Sequence, residues 1–384
     1  MPYLNFPPNF KDIFDDLYAR VRKLETAQRF TVPVVATDPT NTRKGDMWLN
    51  TTSNAVNYID GTGAVQTFTP PPYVAGKNIL INGGMDIWQR GTTSSLQGNY
   101  ATADRWYIAG GGSITTNQDT DVPSGVPVQY SLNWTTTAGS SFGQFYQPIE
   151  QATVKTLRGQ TVTASAWFKT AGTAYAGNLI FRFDYNTTSD TVGTGTWSNI
   201  AGTDVFFAGS SATSWVKKTS TFVVPSNAVG LRVSLIPDTV QSSGAIAKMT
   251  AAQLEIGSVA TPFSRAGGTL SGELAACQRY YVRFGGNNAY ENFASAFATS
   301  TTQALCLINF PVTQRIVASA VEYSTNALYE GVGFTAVTAF SINGGSTNQI
   351  RLQATVSSGL TQYRPYELLA NASTSAYLGF SAEL

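Results

Sequence analysis

Hydrophobic spacing changes character along this 384-residue chain. In "PPNFKDIFDDLYARVRKLETAQ" the apolar residues Phe10, Phe14, Leu17, Val21 and Leu24 recur at spacings of 4, 3, 4 and 3, a heptad stripe on one helix. The prolines before it cannot lie inside a helix, and Asn9 can cap one. So short a helix cannot bury its stripe alone. The stripe therefore predicts an oligomerising coiled coil over residues 1–30, or, alternatively, an amphipathic helix packed on the next domain.

From Thr31 the period shortens. Apolar runs at Met47–Leu49 and Val56–Ile59 flank the loop "NTTSN", "DGTG" follows as a second turn, and "TPPP" removes backbone donors. Residues 31–76 are expected to form a small β-hairpin module and a proline-rich linker. Strand-like alternation then dominates residues 77–265, in "QYSLNWTT", "SFGQFYQPIE", "TVTASAWFKT", "NLIFRFDYN", "SWVKKTSTFVV", "GLRVSLIP" and "AKMTAAQLEIG". Strands at this spacing predict an antiparallel sandwich of jelly-roll type. A Gly-Gly hinge and a brief helical pattern, Leu270 to Cys277, open residues 266–384. There "FASAFATS", "QALCLINFP", "GFTAVTAFSI", "QIRLQATV" and "SAYLGFSAEL" predict a second β-sandwich. The fold class expected is thus mostly β: a short coiled-coil helix, a hairpin module and two antiparallel sandwiches.

Composition narrows the function. Charged residues are 12% of the chain, about half of the usual ~25%, and 24 basic against 23 acidic residues leave +1. No basic block tracks phosphates, so nucleic acid is not an expected partner. No apolar run is long enough to span a bilayer, and the start lacks the basic and apolar regions of a signal peptide, so neither membrane insertion nor conventional secretion is expected. Histidine is absent, which removes Ser-His-Asp chemistry and the commonest zinc ligand. Cys277 and Cys306 are too few for a disulfide framework and are expected as buried free thiols.

The densest stretch is "NILINGGMDIWQRGTTSSLQGNYATADRW", Asn78 to Trp106. Arg90 and Arg105 lie near Asp86 and Asp104 in sequence, which predicts buried ion pairs fastening a first strand to the sandwich, with Trp88 and Trp106 as core aromatics. Glycoside hydrolysis needs only two carboxylates. Asp86, Asp104, Glu150, Asp184 and Glu255 are available, but no spacing singles out a pair, so no catalytic residue is assigned and the chain is not expected to be an enzyme. No cofactor is expected; calcium held by Asp86 and Glu255 is the one metal alternative. Neutral, aromatic, amide-rich surfaces suit sugars, whose C–H faces stack on rings. Aromatics beside turns are therefore the glycan-binding candidates: Trp134, Tyr185 and Trp197, with Tyr175 nearby, in the first β-domain, and Tyr290, Tyr329, Phe334 and Tyr363 in the second.

"NILINGGMDIWQRGTT" followed by "YATADRW" resembles the opening of the jelly-roll module of tail fibre and receptor-binding proteins of tailed bacteriophages. "FYQPIE", "LRGQTVTASAWFK", "TSWVKKTSTFVVP", "AAQLEIGSVATPF", "ELAACQRYY" and the closing "AYLGFSAEL" agree in order, and "GDMWLNTTSNAVNYIDG" is similar to small modules near the start of such fibres. The resemblance covers the chain from Gly45 onward, and the middle jelly roll is also similar in layout to carbohydrate-binding modules. It implies a homotrimeric virion protein, assembled in the host cytoplasm, whose N-terminal segment attaches to other tail or baseplate proteins. Its partner outside the virion would be a host cell-surface polysaccharide, met by the distal receptor-binding tip, residues 266–384. The competing readings are a structural baseplate or fibre connector and a glycan depolymerase, although the chain lacks the short internal period of a β-helix.

Overall fold

The computed structural model describes Asp15, Tyr18 and residues 32–52, 55–67, 75–96, 98–100, 103–111, 113–138, 142–172, 175–285 and 287–384. The seam residues Phe10, Phe14, Leu17, Val21 and Leu24, and the "TPPP" segment, lie outside them. The chain divides into two units, Met1–Pro72 and Tyr73–Leu384.

In the first unit β1 (Val34–Val35), β2 (Met47–Asn50), β3 (Ala55–Ile59) and β4 (Val65–Thr67) form one sheet in that order. The expected meander is β2 to β4; the parallel pairing of β1 on β2 was not legible in two valines. Asp38 organises the unit. Its Oδ1 accepts hydrogen bonds from the Trp48 indole at 2.7 Å and from the Asn50 and Asn57 amides at 2.8 and 2.9 Å, and these donors hold its carboxyl below the usual range.

The second unit contains β5 (Thr93–Ser94), β6 (Tyr107–Gly111), β7 (Ile114–Asp119), β8 (Ser131–Thr136), β9 (Phe142–Ile149), β10 (Thr161–Gly172), β11 (Asn178–Asn186), β12 (Ser198–Asn199), β13 (Val205–Ala208), β14 (Val216–Val223), β15 (Gly230–Pro237) and β16 (Ala245–Ile256). They make two antiparallel sheets, ordered β14-β10-β16-β8-β7-β5 and β12-β11-β15-β9-β6, with β13 also on β11. The chain crosses repeatedly from sheet to sheet, and the two inner faces share one core. Alternation explains which side chains fill it: along β11, Leu179, Phe181 and Phe183 are fully buried, while Arg182 and Asp184 point outward to Asp204 and Arg232. Phe168, Phe181, Phe183 and Phe222 touch in sequence across the sheets at centroid distances of 4.7–5.2 Å. Between β9 and β10, α1 (Gln151–Leu157) buries Val154 and Leu157.

The remainder contains α2 (Leu270–Gln278), β17 (Tyr281–Gly285), β18 (Asn292–Ala298), β19 (Gln303–Asn309), β20 (Ala320–Ser324), β21 (Asn326–Tyr329), β22 (Phe334–Gly345), β23 (Gln349–Val356), β24 (Pro365–Ala370) and β25 (Tyr377–Ser381). Here the structure departs from the second sandwich. Strands β18-β19-β23-β22-β21-β24 close into a barrel, and β17-β25-β20 form a separate sheet of three. The reason lies in β22: twelve residues long, its pairing with β23 shifts register between Val337 and Ala339 and again between Ile342 and Gly345. Such irregularities coil a strand, so its start pairs with β21 and the rest with β23. Small residues suit the narrow interior, where Ala296, Ala298, Ala304, Cys306 and Ala354 join Leu352 and Leu368. Cys306 and Cys277 are both free and buried, and burial pushes the Cys306 thiol up to about 12.

The opening stretch is not a strand. Residues 81–84 form a turn, and Asn82, Met85 and Arg105 adopt left-handed backbone with φ of 57°, 54° and 72°. Asn82 ties the knot, its amide donating to the carbonyls of Ile87 and Asp104 while its Oδ1 accepts from the N–H groups of Asp86 and Ile87. Gly83 is obligatory, since a Cβ there would fall 1.9 Å from the Ala252 carbonyl oxygen on β16. Trp106 is fully buried as expected, whereas Trp88 is only partly buried against the core.

The charged fasteners have partners other than the nearest in sequence. Asp86 pairs with Arg265 at 2.8 Å, and Asp104 accepts from the Gln89 backbone and side chain. Arg90 and Arg105 both reach Glu383, beyond β25. The Arg90 guanidinium lies 3.5 Å from the Tyr281 ring centroid and that of Arg105 lies 3.6 Å from Tyr280. Arg279 and the Tyr280 hydroxyl, in turn, meet Glu150 at the start of α1, both at 2.8 Å. The stretch therefore joins sandwich to barrel region as well as closing the sandwich.

Candidate functional site

Three of the aromatic candidates converge on the barrel. Tyr329 ends β21 and Phe334 opens β22, so the hairpin sets them opposite each other in register. Their rings stack at 4.7 Å, and Tyr290, from the turn before β18, adds a third ring 5.4 Å from Phe334. Tyr290 is 55% and Phe334 48% exposed, and Val332 at the hairpin tip is 93% exposed. Large apolar faces held in the open contribute little to a core. Tyr363 is 77% exposed on the turn before β24, with no ring contact to the three among the described residues.

Beside these rings lies an open cleft of about 440 Å³, lined by Ser295, Tyr329, Glu330, Gly331, Pro365 and Glu367 among others. The register explains its make-up. Ser295 on β18 pairs with Glu367 on β24, Glu367 with Tyr329 on β21, and Tyr329 with Phe334 on β22. Directly paired residues of antiparallel strands point to the same face. One row across four strands therefore presents a hydroxyl, a carboxylate and two rings. Arg364 bonds Glu330 at 3.0 Å and holds its carboxyl below the usual carboxylate range. Chemically, the arrangement offers an apolar stacking face with acceptors at its edge.

The sandwich candidates fare differently. Trp134 is a correction: at 1% exposure it sits in the core against Phe145, with centroids 4.6 Å apart, because its position on β8 faces inward. Tyr175 is likewise buried. Tyr185 is half-buried against the same core. Trp197 is half-buried, and the Arg232 guanidinium, bonded to Asp184, lies 4.8 Å from its ring. These four are not brought together into one open face.

Asp86 and Glu255 do not fit a calcium ion. Arg265 occupies one oxygen of Asp86 and the Gln129 N–H the other. Glu255 accepts from the Gln253 amide, the Thr261 N–H and the Thr261 hydroxyl. Among the described residues no group of three or more His, Cys, Asp or Glu is placed to hold a metal. Nor is any helix there long and apolar enough to cross a membrane.

No protein-family profile matches the chain, and no curated protein does. Parts of solved structures resemble it. The tailspike protein 4 enzymatically active domain of bacteriophage CBA120 aligns over 47% of this chain at 16% identity and a TM-score of 0.30, and the aligned part is 21% of that domain's own length. The CBM22-1 xylan-binding domain of Paenibacillus barcinonensis Xyn10C aligns over 48% of this chain and 98% of its own at 13% identity, TM-score 0.30. The C-terminal family 22 carbohydrate binding module of Clostridium thermocellum Xyn10B aligns over 46% and 100% at 14%, TM-score 0.30. Likeness at this level is too slight to carry fold or function across.

Proposed function

We propose that the chain is a virion tail fibre or receptor-binding protein that attaches a bacteriophage to a host cell-surface glycan without cleaving it. The observation that carries the binding reading is the stack of Tyr290, Phe334 and Tyr329, held in the open beside a polar cleft. Rigid rings with acceptors at their edge match the two faces of a sugar. The ordered resemblance of motifs supplies the phage context, with residues 1–30 as the trimer seam and attachment segment to other tail proteins. Three weak sites on one trimer would gain avidity of ~10²–10⁴. Arg364 holds the Glu330 carboxyl below the usual range, which makes it unsuited to serve as the general acid of glycoside hydrolysis. The function needs no cofactor.

The test is saturable binding of the full chain to host cells, competed by extracted wall polysaccharide and lost in Tyr329→Ala and Phe334→Ala. Light scattering that found only monomer with the N-terminal segment intact would remove the trimer. Release of reducing sugar, abolished by Glu330→Gln or Glu367→Gln, would replace binding by depolymerisation. A structural connector is the second reading, favoured by Phe297 and Leu307, 49% and 53% exposed on the barrel wall. Failed tail assembly rather than failed adsorption on deleting residues 269–384 would favour it.

A further inference from the structure

Resting on the glycan reading above, we propose that the barrel cleft takes a sugar carrying a free, positively charged amino group, with the ammonium held by Glu367 beside the Tyr329 ring. Glu367 stands on β24 between Ser295 and Tyr329, the register partners on its two neighbouring strands. It is exposed, and among the described residues its carboxylate has neither an ion pair nor a hydrogen bond. Two carboxylates and no lysine or arginine line the cleft. Arg364, the cation next to the cleft in sequence, is paired with Glu330, and Arg351, on β23, does not line the cleft and is held by the Asn343 carbonyl through both Nε and a terminal nitrogen.

The ring stack supplies the other half of the site. The face of an aromatic ring is electron-rich and attracts a cation, and a carboxylate next to it satisfies the same cation from the side. Carboxylate and ring faces together form an ammonium site, while the remaining ring surface stays free for the apolar face of the sugar. A sugar acid at this position would meet Glu367 without a neutralising partner. An N-acetylated sugar would stack but leave Glu367 without a charge to pair.

The experiment is equilibrium binding of the full chain to three soluble probes, at low and at high salt: β-1,4-linked oligomers of glucosamine and of N-acetylglucosamine, and α-1,4-linked oligomers of galacturonate. The free amine oligomer should bind roughly fivefold more tightly per site than the acetylated one at low salt, as expected for one exposed ion pair. That advantage should fade near ~1 M salt, where the screening length is about 3 Å. It should vanish in Glu367→Gln, and Glu367→Lys should shift preference towards galacturonate. Both variants lie on the surface, and unchanged melting curves verify their fold. Equal binding of the amine and acetylated oligomers, a preference that survives Glu367→Gln, or stronger binding of galacturonate by the unaltered chain would each overturn the proposal. If none of the three binds while cell binding still depends on Tyr329, the amino-sugar proposal falls and the glycan reading stands. If cell binding is also indifferent to Tyr329→Ala, both fall.

Discussion

Arginine, carboxylate and aromatic ring meet in two regions of this molecule. At the joint, Arg90 and Arg105 share Glu383 and lie over Tyr281 and Tyr280; all three charged side chains are at most 8% exposed. At the barrel cleft, Arg364 holds Glu330 at the surface and the rings of Tyr329, Phe334 and Tyr290 face out. The same residue types serve opposite ends because solvent differs. Where water is excluded, an unpaired charge is costly, so each is committed to a partner. Where water remains, pairing contributes little and the rings stay available to a ligand.

Removing one buried partner should show the largest effect. Glu383→Ala leaves two guanidinium groups without their carboxylate and is expected to destabilise the chain by about 3–5 kcal/mol, as is Trp134→Ala through the cavity it leaves. Chemical denaturation measures both; a loss under 1 kcal/mol for Glu383→Ala would mean the joint is wetter than its burial implies.

Next comes pH. Burial raises the Asp104 carboxyl to about 6, so folded Asp104 keeps a proton that the unfolded chain has already released. Its contribution is complete below the unfolded value near ~4 and is lost as pH rises through 6, an effect of about 3 kcal/mol for a shift of about two units. Relative to Asp104→Asn, the unaltered chain should therefore lose stability between pH 4 and 7. Parallel stability curves for the two proteins would show that Asp104 does not titrate in that range.

Tyr329→Ala should reverse the balance, costing roughly 1 kcal/mol of stability or less while abolishing adsorption to cells. Smallest of all, Arg364→Ala should leave the unfolding midpoint essentially unchanged. A loss at Arg364 as large as at Glu383 would erase the contrast between the regions.

Much of this was legible because alternation is a local property. β11 and β16 could be read from period-two patterns, and α2 from Leu270 to Cys277. Tyr290, Tyr329 and Phe334 could be singled out because rings beside turns are conspicuous. Their meeting could not be foreseen, since it depends on a four-residue hairpin loop and on the turn carrying Tyr290. Glu367 was missed for a related reason. Nothing in "RPYELLA" marks its glutamate until β24 is known to lie between β18 and β21. Trp134 goes into the core all the same, because a turn nearby says nothing about which face of β8 its side chain takes. Closure of the barrel depends on register shifts in β22, which leave no mark on composition. Local rules pair Arg90 and Arg105 with neighbours in sequence, because a carboxylate 293 and 278 residues away is invisible to them.

That separation orders events during synthesis. Arg90 and Arg105 leave the ribosome long before Glu383, so during synthesis two cations wait for their carboxylate. Only when β25 has emerged and docked can they be neutralised. A chain interrupted anywhere in the barrel leaves Arg90 and Arg105 without Glu383. The joint is therefore whole only in molecules in which the last strand has been made and placed.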